Sequence, residues 1–170
     1  AILIRVAAEM GADAQMVTYL SHVMRAESGG DRHARNTRST ATGLFQFISS
    51  TWDAYSQPGD DIYDPEDQCR AVIAFARDNE AVLRRALGRD PTAGEFYLAH
   101  FAGSEGARRL LTEDNLDRPI SEIMGGDAMS ANAPISFRGK PFADFTVRDI
   151  RAWSNGLMHG SQFMDAQADI

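Results

Sequence analysis

Between Asp64-Pro65 and Gly88 the apolar residues Cys69, Val72, Ile73, Ala76, Leu83 and Leu87 recur at helical intervals, and this run constrains the fold more than any other stretch. A strand sends alternate residues to opposite faces, whereas residues three and four apart share one face of a helix. The ends agree, because a capping residue followed by proline opens helices and glycine commonly closes them. The same grammar repeats along the chain. Asp13 is placed to cap a helix with apolar positions Met16, Val17, Leu20, Val23 and Met24, stopped by Gly29-Gly30. Residues 31–42 form a polar stretch without apolar periodicity, and 43–55 read as a second helix rich in aromatics. Thr92-Ala-Gly-Glu95 is a capping box for a helix through Phe101. Shorter helices are predicted at 105–111 and 120–124, and Thr146-Val-Arg-Asp149 opens a last one through Met158. Alternating strand patterns are nearly absent, so the fold class is mainly α.

The 170 residues fit one domain of about 100–200 residues. Hydrophobic residues at 44% and charged residues at 24% are globular values and exclude a disordered chain. No apolar run approaches the roughly 18 residues needed to span a bilayer, and no Lys/Arg-led signal peptide opens the chain. The start, Ala1-Ile2-Leu3-Ile4, is only a short apolar patch before Arg5. Cys69 is the one cysteine, which excludes a disulfide framework. The four histidines, His22, His33, His100 and His159, have no metal-binding spacing, and Gly29-Gly30 precedes no phosphate-cradling lysine-serine pair. No metal and no cofactor is implied. The net charge of −7 argues against a nucleic-acid partner. That excess acid lies within residues 58–135, while residues 1–57 balance five basic against five acidic side chains.

The neutral N-terminal third holds the pattern that points to chemistry. Glu27 follows Val23 by four residues and Met24 by three, so it continues the apolar face of its helix. It also sits in the last turn, where the helix macrodipole disfavours a second negative charge. A carboxyl kept protonated in such surroundings suits general-acid work on a glycosidic oxygen. The competing reading is a helix-end glutamate paired with Arg25, Arg32 or Arg35.

A longer motif surrounds this glutamate: Glu27-Ser28, then Asn36 and Ser39, then Gly43-Leu44-Phe45-Gln46-Phe47-Ile48, then Thr51-Trp52. It resembles the lysozyme-like catalytic domain of the soluble lytic transglycosylases, with about ten positions agreeing in order and spacing. The resemblance implies Glu27 as the catalytic acid, Ser39 to orient it, Gln46 to hydrogen-bond the sugar, and Gly43 to let the backbone approach the glycan. Phe45 and Trp52 are read as mainly packing, with one of Phe45, Phe47 and Trp52 touching substrate. The family's second signature, Ala-Tyr-Asn-Ala-Gly, corresponds to Ala99-His100-Phe101-Ala102-Gly103. Here His100 and Phe101 replace the usual tyrosine and asparagine, and Tyr97, three residues before His100, is placed to supply the missing hydroxyl. The Tyr-Leu-Ala-His-Phe form resembles a branch seen among phage-associated and alphaproteobacterial wall hydrolases.

The resemblance implies one lysozyme-like domain, with 1–12 an N-terminal extension, 13–112 the catalytic core, 113–160 a helical completion and 161–170 a tail. It implies peptidoglycan glycan strands as the partner, in the periplasm, exported, or on a virion, with a secretion, flagellar or phage-tail assembly as a further partner. The expected reaction cleaves the β-1,4 bond between N-acetylmuramic acid and N-acetylglucosamine. Hydrolytic glycosidases generally use two carboxyl groups roughly 5–9 Å apart, whereas a transglycosylase needs one, forming a 1,6-anhydro ring. Asp31, Asp53, Asp60, Asp61 and Asp64 are the acids available as a second group, so a muramidase of the same fold stays open, as does a wall-localised structural module.

Overall fold

Side-chain caps start four of the helices in the computed structural model, which describes residues 1–159. The helices are α1 (Ile2–Glu9), α2 (Ala14–Ser28), α3 (Ser49–Tyr55), α4 (Pro65–Leu87), α5 (Ala93–Thr112), α6 (Gly126–Ala131) and α7 (Val147–His159). One short hairpin pairs β1 (Ser136–Phe137) with β2 (Lys140–Pro141), antiparallel. The described residues fall into two compact units, Ala1–Arg77 and Asp78–His159. Among them no helix is long and apolar enough to cross a membrane.

In the first unit the Asp13 side chain accepts the Met16 N–H at 2.8 Å and starts α2, and Gly29, at φ 62°, ends it. Asp64 does the same for α4, accepting the N–H groups of Glu66 (2.9 Å) and Asp67 (3.1 Å). The opening residues, a mere apolar patch in the sequence, form α1 and bury Leu3, Val6 and Ala7. The core adds Leu20 and Val23 of α2 and Cys69, Val72 and Ile73 of α4. Burial of each such aliphatic side chain is worth about 1.5–3 kcal/mol.

The predicted helix over 43–55 is shorter than expected and begins only at Ser49. Residues 42–47 instead close a tight loop, with Thr42 N donating to Phe47 O (2.9 Å) and Phe47 N to Thr42 O (3.0 Å). Gly43 at φ 86° and Gln46 at φ 53° are both left-handed, and neither fits a right-handed helix. The aromatics that suggested a helix still pack. Phe45, Phe47 and Trp52 are all buried, and Phe47 meets Trp52 edge-on at 5.6 Å.

In the second unit the Thr92–Glu95 capping box is complete and opens α5. The two helices predicted over 92–101 and 105–111 are both present within α5, separated by a kink at Gly103, whose φ of 78° and ψ of 160° lie outside the helical range. Thr146 and Asp149 cap α7 reciprocally, with Thr146 N to Asp149 Oδ2 at 2.8 Å and Asp149 N to Thr146 Oγ1 at 3.3 Å. The Arg151 guanidinium of α7 donates to the carbonyls of Leu110 (2.6 Å) and Glu113 (3.0 Å), which satisfies acceptors at the end of α5. The stretch predicted helical over 120–124 is a single 3-10 turn, Ile120–Glu122.

Candidate active site

Glu27 is the penultimate residue of α2 and is half-buried. Its neighbour Ser28 ties the helix end to the loop that follows. The Ser28 hydroxyl shares its proton between Leu44 O (2.7 Å) and Met24 O (3.1 Å) and accepts the Gly30 N–H at 3.1 Å. On the buried side of α2, Tyr19 has its phenol pushed well above its ordinary range, first by burial and then by the negative charge of Glu27. The Glu27 charge is therefore felt in the core of its unit, where low dielectric strengthens electrostatic effects.

The loop between residues 34 and 47 is closed by its own backbone and by Gln46. Gly43 N donates to Ala34 O at 2.8 Å, and Asn36 N to Ala41 O at 3.0 Å. The Gln46 side-chain nitrogen donates to Ala34 O (3.1 Å) and Gly43 O (3.0 Å). A primary amide has two N–H donors and one carbonyl acceptor. Both donors are occupied by these carbonyls, which leaves Oε1 as the acceptor of the side chain. Ser39 is half-buried, and its hydroxyl accepts the Ala41 N–H at 3.2 Å, a common turn role for serine.

Gly43 also lies against a buried side chain of α4. An added Cβ would lie 2.8–3.0 Å from the amide atoms of Gln68, so protein fills the space in that direction. Gln68 is fully buried, and its Oε1 accepts the Leu44 N–H at 2.7 Å while Nε2 donates to Ile62 O and to Arg32 O (3.4 Å). This side chain joins three segments far apart in sequence. Sequence reasoning passed over it. The available signal was a glutamine four residues before Val72, on the apolar side of a long helix.

The other two site residues lie together on α5, in the second unit. Tyr97 is buried and its ring stacks on His100 with centroids 6.1 Å apart and planes 23° apart, as residues three apart on one helix can. Tyr97 also meets Trp153 edge-on at 5.9 Å, and Phe101 meets Trp153 at 5.0 Å, which makes Phe101 a packing residue here. The structure thus gathers Glu27, Ser39, Gly43 and Gln46 at one helix end and its following loop, and pairs Tyr97 with His100 on a single helical face.

The acids expected as partners for Glu27 hold local structure. Asp60 Oδ2 accepts the Gln57 N–H (2.7 Å), Asp61 Oδ1 the Tyr63 N–H (2.9 Å) and Asp31 Oδ1 the His33 N–H (2.9 Å), while Asp64 caps α4. Asp53 is exposed on α3.

A mainly helical fold with a glutamate at the end of α2, tied by the following serine to a glycine-glutamine loop, is consistent with a lysozyme-like domain. Residues 4–87 match the family model of the transglycosylase SLT domain. It is 43% identical over 47 residues to a probable transglycosylase SceD of Staphylococcus carnosus, covering 28% of this chain and 20% of the relative. It is 53% identical over 36 residues to a probable transglycosylase SceD 2 of Staphylococcus saprophyticus, covering 21% and 14%. A probable transglycosylase SceD of Staphylococcus aureus is 40% identical over 47 residues, covering 28% and 20%. The chain therefore spans a fifth or less of the length of these curated relatives.

Proposed function

We propose that this protein is a lytic transglycosylase that cleaves the β-1,4 bond between N-acetylmuramic acid and N-acetylglucosamine in peptidoglycan, with Glu27 as its single acid and base. The observation that carries the reading is the Ser28–Leu44 bond, which fixes the helix end bearing Glu27 to the loop of Gly43 and Gln46 within the span that matches the SLT domain. The Glu27 carboxyl protonates the leaving glycosidic oxygen as the C1–O bond breaks. The resulting carboxylate then takes the proton of the C6 hydroxyl of the same muramic residue as that oxygen closes on C1. The ring product is 1,6-anhydro-muramic acid, and Glu27 ends protonated as it began. Gln46 offers its Oε1 to a sugar N–H or O–H, and Ser39 supports the loop that follows the acid. Action on the wall implies a periplasmic, exported or virion-associated setting.

One acid suffices for this route, whereas hydrolysis calls for a second carboxylate to direct water. The hydrogen bonds that Asp31, Asp60, Asp61 and Asp64 accept from nearby backbone N–H groups give each of them a structural task and favour the single-acid route. The test is mass spectrometry of digested peptidoglycan. Wild-type protein should yield anhydro-muropeptides, lighter than hydrolytic products by one water, and Glu27→Gln should yield neither while keeping the helical circular-dichroism spectrum. Wild-type digests containing only reducing ends would make the protein a muramidase. Residual cleavage by Glu27→Gln would remove Glu27 from the chemistry.

A further inference from the structure

Leu44 is held from both sides. Its N–H donates to Gln68 Oε1 at 2.7 Å, and its carbonyl accepts the Ser28 hydroxyl at 2.7 Å. Ser28 directly follows Glu27, and Gln46 stands two residues beyond Leu44. The acid and the glutamine of the motif are thus joined through one backbone residue whose N–H is anchored on α4. Gln46 itself is left-handed at φ 53°. A non-glycine residue carries strain there and keeps that shape only where surrounding bonds over-determine it.

The Gln68 amide reaches the other edge of the loop as well. Its Nε2 donates to Ile62 O and to Arg32 O at 3.4 Å, while the Gln46 amide takes Ala34 O at 3.1 Å, two residues along the same segment. Both N–H donors and the carbonyl of Gln68 are therefore in use, and the side chain is fully buried. Packing alone calls for no amide at this position. Cys69, Val72 and Ile73 fill neighbouring positions of α4 with apolar side chains, and burying an amide is costly unless its polar atoms find partners. What the amide adds is direction, because hydrogen bonds weaken steeply away from their preferred geometry.

We propose that Gln68 is a positioning residue for the reaction, fixing through Leu44 the separation between the Glu27 carboxyl and Gln46 Oε1 at which the glycosidic bond is broken. It touches neither the substrate nor the reacting atoms. This rests on the transglycosylase reading above and adds to it a residue of α4 that lies outside the motif. A misplacement of about 1 Å costs a reaction about a hundredfold, so releasing Leu44 lowers kcat by about ten- to a hundredfold. A polymer binds through several of its units at once, so KM moves by less than about threefold.

The test is steady-state cleavage of soluble, uncrosslinked glycan strands by the full chain, with kcat and KM read separately and the folded fraction measured by circular dichroism at the assay temperature. Gln68→Met keeps the length of the side chain and removes its hydrogen bonds. It should lower kcat per folded molecule about ten- to a hundredfold with KM within about threefold of wild type. Leu3→Ala truncates the same core in α1 and leaves all of these bonds in place, so its kcat per folded molecule should stay within about twofold. Ser28→Ala removes the other hold on Leu44. Because both act through one residue, the double variant should lose clearly less than the product of the two single losses. Should Gln68→Met fail to fold, Gln68→Asn, which carries the same amide one methylene short of Leu44, should lower kcat about three- to tenfold at unchanged KM. A folded Gln68→Met variant with wild-type kcat overturns the proposal. So does a loss confined to KM, an equal loss in Leu3→Ala, or losses at Ser28 and Gln68 that multiply in full. Wild type that leaves the strands intact removes the enzymatic reading and this proposal together, whereas wild-type cleavage that Gln68→Met retains removes the positioning role alone.

Discussion

Replacing Gly43 by alanine puts a methyl group where the buried amide of Gln68 sits. Two costs are readable from the structure. Alanine at φ 86° carries backbone strain of about 1–3 kcal/mol. The new Cβ would lie 2.8–3.0 Å from three atoms of the Gln68 amide, and moving that amide weakens its 2.7 Å bond from Leu44 N. A buried N–H left without its acceptor costs about 1–3 kcal/mol. The sum is about 2–6 kcal/mol, a large share of the roughly 5–15 kcal/mol by which proteins of this size are stable. The assay is urea and thermal unfolding of the full chain followed by circular dichroism, where a loss near the middle of that range lowers the melting temperature by about 10 °C. The clash is isolated by adding Gln68→Ala. Shortening Gln68 removes the atoms that the methyl group meets, so the double variant should be less destabilised than the two single losses predict, by about 1–3 kcal/mol. Additive losses would refute the steric coupling, and a Gly43→Ala variant as stable as wild type would refute the whole argument.

Further outcomes follow from other parts of the chain. Glu95 is held below its ordinary range, first by hydrogen bonding from Arg89 at 2.7 and 2.8 Å and also by the Thr92 cap, against an opposing effect of burial. A depressed folded-state value means that its stabilisation is complete above the ordinary glutamate range and fades as pH falls through the lowered value. The melting-temperature gap between wild type and Glu95→Gln should therefore be open at neutral pH and close in acid. Burial pushes the Cys69 thiol up to about 12. Its reaction with a colorimetric disulfide reagent at mildly alkaline pH should be roughly a thousandfold slower in the folded protein than in denaturant, and comparable rates would place the thiol at the surface.

The acidic total gave little information about the surface around Glu27. The excess acid of residues 58–135 serves largely in caps and pairs such as Asp64, Glu95 and Glu113. The basic loop that follows Glu27 lies within the balanced first third of the chain.

Helix ends were legible from sequence where their physics is local. Asp13, Asp64, Thr92 and Thr146 each satisfy an N–H two or three residues away, so the residue types alone locate the caps. The stretch from Gly43 to Phe47 was not legible, since its shape depends on groups distant in the chain. Leu44 gives its N–H to Gln68, 24 residues onward, and its carbonyl to Ser28, 16 residues back. Those bonds hold Gly43 and Gln46 in left-handed conformations that helical aromatic spacing could not reveal. The sequence by itself determined a helical chain and the motif around Glu27, because periodicity and capping act within a turn. Only the tertiary structure decided what Gly43, Gln46 and Gln68 do, because a buried amide takes whichever partners the packed fold brings to it.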